Sequence, residues 1–391
     1  MDFDFDKVID RRQTNSDKWD EMEAIFGVSP EDGLAMWTAD MDFVSPRAVN
    51  ATLEKLAAHG VQGYFGDSKA YKGAVRHWMS TRHGWKVEDD WILTTHGVVH
   101  ALGACIQAYS APGDGVITFT PVYHAFHRMI DANNRRNLQS EMRLENGRYE
   151  MDLAGLEQRL QGDERIILLC SPHNPGGRVW SGEELNHLAS FCARHDLILV
   201  SDEIHQDLVY AGHTHHVAPL AAPDHLDRIV VLNAPSKTFN LAGAKNAQAI
   251  IPDAALRSDL QAVLRASGTG VNRISALLTT AAYAHGAEWL DALLVYLNSN
   301  RQMFEERVNA LPGVRSIALE STYLSWVDFS GTGMDMDEIT RRIQTDARIA
   351  ANHGPTFGKG GEHFMRFNFG TSRAVVSEAL ERLEHAFSDL Q

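Results

Sequence analysis

Three short apolar runs, residues 166–170, 197–200 and 229–232, each pass directly into polar side chains. Runs of this length, rich in Ile, Leu and Val, read as strands. In a parallel sheet the carboxyl ends of the strands form the rim where ligands bind, so the residues after each run can converge on one place. Those residues are Ser171-Pro172-His173-Asn174-Pro175-Gly176-Gly177, then Ser201-Asp202-Glu203-Ile204-His205, then Asn233-Ala234-Pro235-Ser236-Lys237-Thr238-Phe239-Asn240-Leu241-Ala242-Gly243. An amide, a carboxylate and an amine are thereby expected at one edge of one sheet. A lysine in a turn at a strand end can be partly desolvated, which lowers its pKa and frees the amine to attack a carbonyl. Alone, Lys237 is an ordinary solvated charge beside a serine; Asn174 and Asp202 are what change that reading.

Other strand ends carry candidates of their own. Trp91-Ile92-Leu93-Thr94-Thr95 is a β-rich run, and His96-Gly97-Val98-Val99 leads into a helical pattern over residues 101–109. Free backbone N–H groups at a helix start suit a dianionic phosphate, although such glycine turns are common without ligands. Residues 116–119 form another strand, followed by Thr120-Pro121-Val122-Tyr123 and a helix starting near His124, where an aromatic ring can simply be core. Pro172 and Pro175 bracket Asn174 and hold its backbone extended, so the amide projects from the strand end; the bland alternative is an Asx turn. For Asp202 the bland alternative is a helix N-cap. Gly63-Tyr64-Phe65-Gly66 is a loop that approaches another backbone, or an aromatic-anchored turn. Arg366 sits in a strand between apolar residues, and a buried arginine needs an anion, either an internal acid or a bound carboxylate.

Taken in order, these segments resemble fold-type I pyridoxal-phosphate enzymes, and specifically the MalY/PatB cystathionine β-lyase group of the class I/II aminotransferases. The resemblance runs nearly end to end, from Met36-Trp37-Thr38-Ala39-Asp40-Met41-Asp42-Phe43 to Phe364-Met365-Arg366-Phe367-Asn368-Phe369-Gly370-Thr371-Ser372-Arg373. It implies an α/β fold of the aspartate aminotransferase type, with a mainly parallel seven-stranded sheet in a large domain and a small α+β domain. It also implies pyridoxal 5′-phosphate bound through Lys237, its phosphate at Gly97, Val98, Val99 and Ser236. Tyr123 would stack on the ring and exclude water, Asn174 would donate to the phenolic oxygen, and Asp202 would keep the ring nitrogen protonated as an electron sink. Arg366 falls where the family binds the substrate carboxylate. Trp37, Asp40 and Met41 fall at the mouth of the site, near substrate; the bland reading of Trp37 and Met41, and of Asp42 and Phe43, is interdomain packing.

Three positions refine that picture. His205 stands where many aminotransferases of this fold carry a tyrosine to the phenolic oxygen, and the lyase group carries histidine; a polar wall residue without chemistry is the alternative. Lys245 lies where relatives often place an arginine on the phosphate, and lysine offers a point charge without arginine's fork. Tyr64 matches a tyrosine that crosses a dimer interface to the phosphate of the neighbouring subunit, so the resemblance implies a homodimer with shared active sites.

Length and composition agree with such an enzyme. A chain of 391 residues with 44% hydrophobic content exceeds one compact domain of the usual size, so two are expected. Residues 1–48 read as an N-terminal arm belonging to the small domain, with a helix near 17–26. Residues 49–286 read as the large cofactor domain, and 287–391 as an interdomain helix plus the small domain. Pro46 opens a helical pattern with Val49, Leu53, Leu56 and Ala57 on one face, stopped by Gly60, and further helices are expected over 68–83, 288–310, 336–348 and 374–390. Strands are expected over 247–251, 323–329 and 364–368. The net charge of 36 minus 51, or −15, with no block of lysine or arginine, argues against a nucleic-acid partner. Cys105, Cys170 and Cys192 form no C-x-x-C pair and read as reduced core residues, and no metal site is expected. The acidic start Met1-Asp2-Phe3-Asp4-Phe5-Asp6 is unlike a secretory signal, and no apolar run approaches the ~20 residues of a membrane span. A cytoplasmic enzyme without membrane contact is the expectation.

The function this reading predicts is a carbon–sulfur β-lyase acting on cystathionine or a related cysteine S-conjugate, a sulfur-containing amino acid, giving thiol, pyruvate and ammonia. An aminotransferase uses the same parts. A non-catalytic pyridoxal-phosphate sensor module of a transcription regulator shares the fold, but needs a DNA-binding domain that this acidic chain does not display.

Overall fold

Strands β1 (Ile92–Thr95), β2 (Gly115–Thr120), β3 (Arg136–Glu141), β4 (Glu164–Cys170), β5 (Ile198–Asp202), β6 (Ile229–Asn233) and β7 (Ala247–Ile250) form one sheet, in the spatial order β1-β7-β6-β5-β4-β2-β3. These elements come from a computed structural model that describes residues 3–390; Met1 and Asp2 of the acidic start, and Gln391, lie outside the described residues. Only β7 runs antiparallel to its neighbours, so six strands point their carboxyl ends the same way. The mainly parallel, seven-stranded expectation is met.

Helices α1 (Arg47–His59), α2 (Lys69–His83), α3 (Val98–Tyr109), α4 (Ala125–Ala132), α5 (Gly182–Arg194), α6 (Ala254–Ala266), α7 (Arg273–His285) and α8 (Ala287–Asn309) cover both faces of this sheet. Successive strand residues point to opposite faces, and the apolar runs divide accordingly. Ile166, Leu168, Val200 and Val230 pack with α3, α4 and α6, while Ile167, Leu169, Leu199 and Val231 pack with α2, α5, α7 and α8. The central strands are therefore buried on both sides, which is why they read as unbroken apolar runs.

The second sheet is antiparallel, from β8 (Arg315–Ser316), β9 (Leu324–Asp328), β10 (Asn352–His353) and β11 (Phe364–Asn368) in the order β8-β9-β11-β10. Helix α9 (Arg373–Ala386) is tied to α8 by Arg307, whose fork holds both carboxylate oxygens of Glu384 at 2.7 Å. The arm threads into this layer. Leu34–Ala35 pairs in parallel with Ile349–Ala350, and the N–H of Asn368 donates to the carbonyl of Met36 at 2.8 Å.

Several boundaries differ from the sequence reading. The arm holds two short helices, Asp17–Asp20 and Met22–Phe26, in place of one. Helix α3 begins at Val98, immediately after Gly97 at φ 93°, rather than near residue 101. On α1, Val49 and Leu56 are buried, but Leu53 and Ala57 of the same apolar stripe face solvent in this chain. The helix expected over 336–348 is α-helical only for Met336–Arg341 and widens into a π-helical turn at Arg342–Asp346. Strand β3 was not anticipated, because its Arg136, Asn137, Gln139 and Glu141 make a polar edge without an apolar run. Helix α5 did have a readable start: Ser181 and Glu184 form a capping box.

Candidate active site

The register places the polar residues where parallel topology requires. Cys170 lies opposite Asp202, and Asp202 opposite Leu232, so β4, β5 and β6 end side by side and release Asn174, Asp202 and Lys237 at one rim. Lys237 lies in a one-turn helix, Pro235–Thr238, instead of an irregular turn, with proline at its first position where the missing N–H costs nothing. Its Nζ donates to the carbonyl oxygen of Ala39 at 2.6 Å. Burial pulls its pKa down to about 8; the carboxylates of Asp40 and Asp202 oppose that pull, and the charges of Arg366 and Lys245 add to it. At neutral pH a usable fraction of the amine is therefore unprotonated.

Asp202 is buried, and its carboxylate accepts only the N–H of Ile204, at 3.1 Å, among the described residues. Burial raises its pKa to about 7, with the Ile204 bond and the Lys237 charge only partly offsetting it. His205 is buried with Nδ1 unpartnered, and burial, reinforced by the cations Lys237 and Arg366, lowers its pKa to about 3, so the ring is neutral. Its nearest aromatic neighbour is Tyr323, edge-on at 6.4 Å.

Arg366 is 1% exposed and forms no ion pair among the described residues. Nη1 donates to Oδ1 of Asn174 at 3.0 Å; Nη2 donates to the carbonyl of Trp37 and to Oδ1 of Asn352, both at 2.7 Å; Nε is unpartnered. Its guanidinium carbon lies 5.0 Å from the centre of the Phe357 ring. Burial lowers its pKa to about 10, leaving it cationic at neutral pH. The backbone N–H of Tyr123 donates to the carbonyl of Asn174 at 3.1 Å, and burial raises the phenol's pKa against the pull of Arg366.

Residues 37–41 form the opposite wall, mostly through backbone carbonyls. Trp37 O accepts from Arg366, Thr38 O and Asp40 O from Asn368 Nδ2 at 2.6 and 2.8 Å, and Ala39 O from Lys237 and from the hydroxyl of Tyr323 at 3.1 Å. Asn240, at φ 55°, donates Nδ2 to Met41 O and Phe43 O, both at 2.8 Å. The Trp37 indole itself turns to the arm: Nε1 donates to Lys18 O at 2.8 Å and the ring packs edge-on against Phe26. Asp40 is paired with Arg11 at 2.7 Å, while Asp42 is buried between Arg11, Lys18 and Trp19, partners that all belong to the arm itself rather than to another domain.

The phosphate candidates lie along the same rim. Ala247 of β7 pairs with Thr95 of β1, and this antiparallel register carries Lys245 towards Gly97, where α3 opens with Val98 and Val99. Lys245 is exposed at φ 49°, and Ser236 is half-buried on the lysine turn. Tyr64 is not brought to the site of its own chain; it is fully exposed. Sequence reasoning missed Tyr323, Asn352, Asn368 and the carbonyl of Ala39. Asn240, Asn368 and Ala39 stand inside segments quoted above, whereas Asn352 stands in none of them.

A lysine turn, a buried carboxylate and a carboxylate-free arginine on a mainly parallel sheet with an antiparallel companion define the fold class of pyridoxal-phosphate enzymes. Residues 37–383 match the model for aminotransferase class I and II, and the chain belongs to that family, in its MalY/PatB cystathionine β-lyase group. It is 39% identical over 387 residues to cystathionine beta-lyase PatB of Bacillus subtilis (strain 168), covering 98% of this chain and 100% of that one. It is 32% identical over 392 residues to protein MalY of Escherichia coli (strain K12), covering 98% of each. Among solved structures it resembles cystalysin from Treponema denticola, which contains pyridoxal 5′-phosphate, with a TM-score of 0.95, 34% identity and all of both chains covered. It also resembles a PLP-bound C-S lyase from Staphylococcus hominis, with a TM-score of 0.92, 28% identity and coverage of 99% and 98%.

The chain's own residues fit that cofactor. Asp202 is a buried carboxylate that lacks a cation in contact and is driven towards protonation, which a protonated ring nitrogen would relieve. Gly97 supplies a positive-φ turn at the mouth of a twelve-residue helix.

Proposed function

We infer that the protein is a carbon–sulfur β-lyase acting on cystathionine or a related cysteine S-conjugate. The observation that carries the amino-acid part of this reading is Arg366: fully buried, cationic, free of any carboxylate among the described residues, and close enough for its charge to act on Lys237. A buried cation without an anion is costly, and a substrate α-carboxylate removes that cost. The lyase part is supported by the relatives, which include proteins named cystathionine beta-lyase and C-S lyase.

Pyridoxal phosphate, when bound, supplies an aldehyde for the substrate amine and a conjugated ring that takes up the electron pair of the Cα–H bond. Lys237 holds that group and, as the unprotonated amine, takes the proton from Cα. Arg366 holds the α-carboxylate, with Asn174 and Asn352 fixing its fork. Asp202 places negative charge at the ring nitrogen, and Asn174, whose Oδ1 is taken by Arg366, keeps Nδ2 to donate to the phenolic oxygen. Tyr123 covers the ring, and Gly97, Val98, Val99, Ser236 and Lys245 hold the phosphate. The Cβ–S bond breaks with its electron pair on sulfur; with one water consumed, the products are thiol, pyruvate and ammonia.

The same reading takes the chain as a cytoplasmic homodimer, with Tyr64 of one subunit at the phosphate of the other. The exposure of Tyr64, Leu53, Val61 and Ile274, with the loop at Val61 joined to the start of α7 by the bond from Arg273 Nη1 to Val61 O, supports an apolar face that a second copy covers. The division at residues 48 and 286 is proposed with it, supported by the pairing of Leu34–Ala35 with Ile349–Ala350. No helix among the described residues is long and apolar enough to cross a membrane.

The test is incubation with L-cystathionine, and separately with an amino donor plus a 2-oxoacid, measuring pyruvate, ammonia and thiol together. Equal yields of the three from L-cystathionine are expected. Amino transfer without thiol release would make the protein an aminotransferase.

A further inference from the structure

Behind the rim lies a buried group of ionisable side chains with no part in the chemistry above. The carboxylate of Asp207 is buried and meets three side chains: Trp78 Nε1 at 3.0 Å and His83 Nε2 at 2.7 Å on Oδ1, both from α2, and Thr238 Oγ1 at 2.7 Å on Oδ2. Burial alone would push Asp207 up, but His83, Thr238 and Trp78 outweigh it and hold the group below the ordinary carboxylate range, so it stays ionised. A second carboxylate–imidazole pair stands beside it. Glu203 accepts from His215 Nε2 at 2.9 Å, Ser201 Oγ at 3.0 Å and the N–H of Ala218 at 3.0 Å, and the rings of His83 and His215 meet edge-on at 5.8 Å.

The chain positions give this group its significance. Thr238 follows Lys237 directly. Asp207 closes the turn that starts at Asp202 and carries His205, a turn held by Gln206 N to Glu203 O and Leu208 N to His205 O, both 2.9 Å. The lysine-bearing helix has only four residues, far below the length at which a helix holds itself, so its placement depends on what it is bonded to. One carboxylate thus ties the turn that carries Lys237 to the turn that carries Asp202 and His205, and anchors both to α2.

We propose that Asp207, held in place by its bond to His83, is a positioning residue: through the hydroxyl of Thr238 it sets the reach and desolvation of Lys237, and so controls turnover rather than substrate affinity. This rests on the assignment of Lys237 as the reactive amine. A catalytic group displaced by about 1 Å can lose on the order of 100-fold in rate, which is the scale at stake.

Thr238→Val removes the hydroxyl at nearly constant volume, and Thr238→Ser keeps it. In the holoenzyme, Thr238→Val is expected to lower kcat by about 10- to 100-fold with KM within about twofold, and Thr238→Ser to stay near the parent. In cofactor-free protein, the apparent pKa of Lys237 is read from the pH dependence of its acylation, followed by mass spectrometry of the Lys237 peptide. The charges facing it, Asp40, Arg366, Asp202 and Lys245, are untouched, so a turn loosened by Thr238→Val gives the amine water and moves its pKa from about 8 towards the ordinary 10.5. Parental kcat and parental Lys237 titration in folded Thr238→Val overturn the proposal. So does Thr238→Ser as impaired as Thr238→Val, which would mean methyl packing and not the hydroxyl. If Thr238→Val does not fold, His83→Gln is read by the same two measurements, with parental values overturning the idea and a raised Lys237 pKa upholding it. The titration needs no lyase turnover, so a failure of the lyase reading remains distinguishable from a failure of this one.

Discussion

Nη1 of Arg366 donates to Oδ1 of Asn174 at 3.0 Å, a bond between residues 192 apart in sequence that joins the second sheet to the rim of the first. It orients the guanidinium and the amide together, so each depends on the other. Arg366→Lys keeps a charge but loses the fork. It is expected to raise KM for amino-acid substrates by about 10- to 100-fold, the worth of one or two charge-assisted hydrogen bonds, while leaving cofactor capture intact. Steady-state kinetics with L-cystathionine check this; an unchanged KM would assign Arg366 a purely structural part.

Lys237 should set the pH dependence of cofactor uptake. With its pKa lowered to about 8, the rate at which cofactor-free protein captures pyridoxal phosphate should climb about tenfold per pH unit below that value and level off above it. Lys237→Ala should abolish the bond that borohydride fixes. Stopped-flow absorbance and peptide mapping measure both, and label on another lysine would refute the assignment.

Asp202 should make the cofactor-free protein less stable as pH rises. Its folded pKa of about 7 lies above the ordinary 3.8, so between those values the folded state holds a proton the unfolded chain has released. The stability from that proton is complete below about pH 4 and lost by about pH 7. Asp202→Asn should flatten this slope and melt higher than the parent at pH 8, while lowering holoenzyme kcat by about 100-fold or more. Thermal melts across pH, beside kinetics, read both; a variant with parental turnover would leave Asp202 a structural cap.

Tyr64 and Lys237 should complement each other between subunits. Tyr64→Phe and Lys237→Ala homodimers are each expected to be impaired, and mixing them should create one site with both defects and one with neither. After full exchange, activity should return to about a quarter of the parent's, since half the dimers carry one intact site of two. No recovery despite demonstrated exchange would rule out a shared site.

The three cysteines should be inert in the folded protein. Cys105, Cys170 and Cys192 are all buried, and burial pushes each thiol well up, Cys192 to about 12. A colourless-to-yellow thiol assay should count none in native protein and three after denaturation. Fast reaction of any one in native protein would show an opening that this packing does not contain.

What could be read from the chain alone follows from how local the signals are. The apolar runs before Asn174, Asp202 and Lys237 are buried on both faces, so they announce themselves as strands, and parallel topology then sends their ends to one rim whatever the rest of the chain does. Gly97 marks a helix start because few other residues accept φ 93° there. The sequence therefore determined that Lys237, Asp202 and Asn174 leave neighbouring strands at one rim, together with the sheet type and the family. Tertiary structure alone decided the rest. The wall at residues 37–41 works through backbone carbonyls, which every residue possesses and no side-chain pattern reveals, and its bond to Lys237 spans 198 residues. It also turned the Trp37 indole away from the site and towards Lys18, because the arm offered the ring a buried partner. Asp207, His83 and Thr238 are unremarkable letters in three separate segments. Only packing α2 against the ends of β5 and β6 excludes the water that would otherwise make their hydrogen bonds interchangeable, and it is that exclusion which lets one carboxylate hold the lysine turn in place.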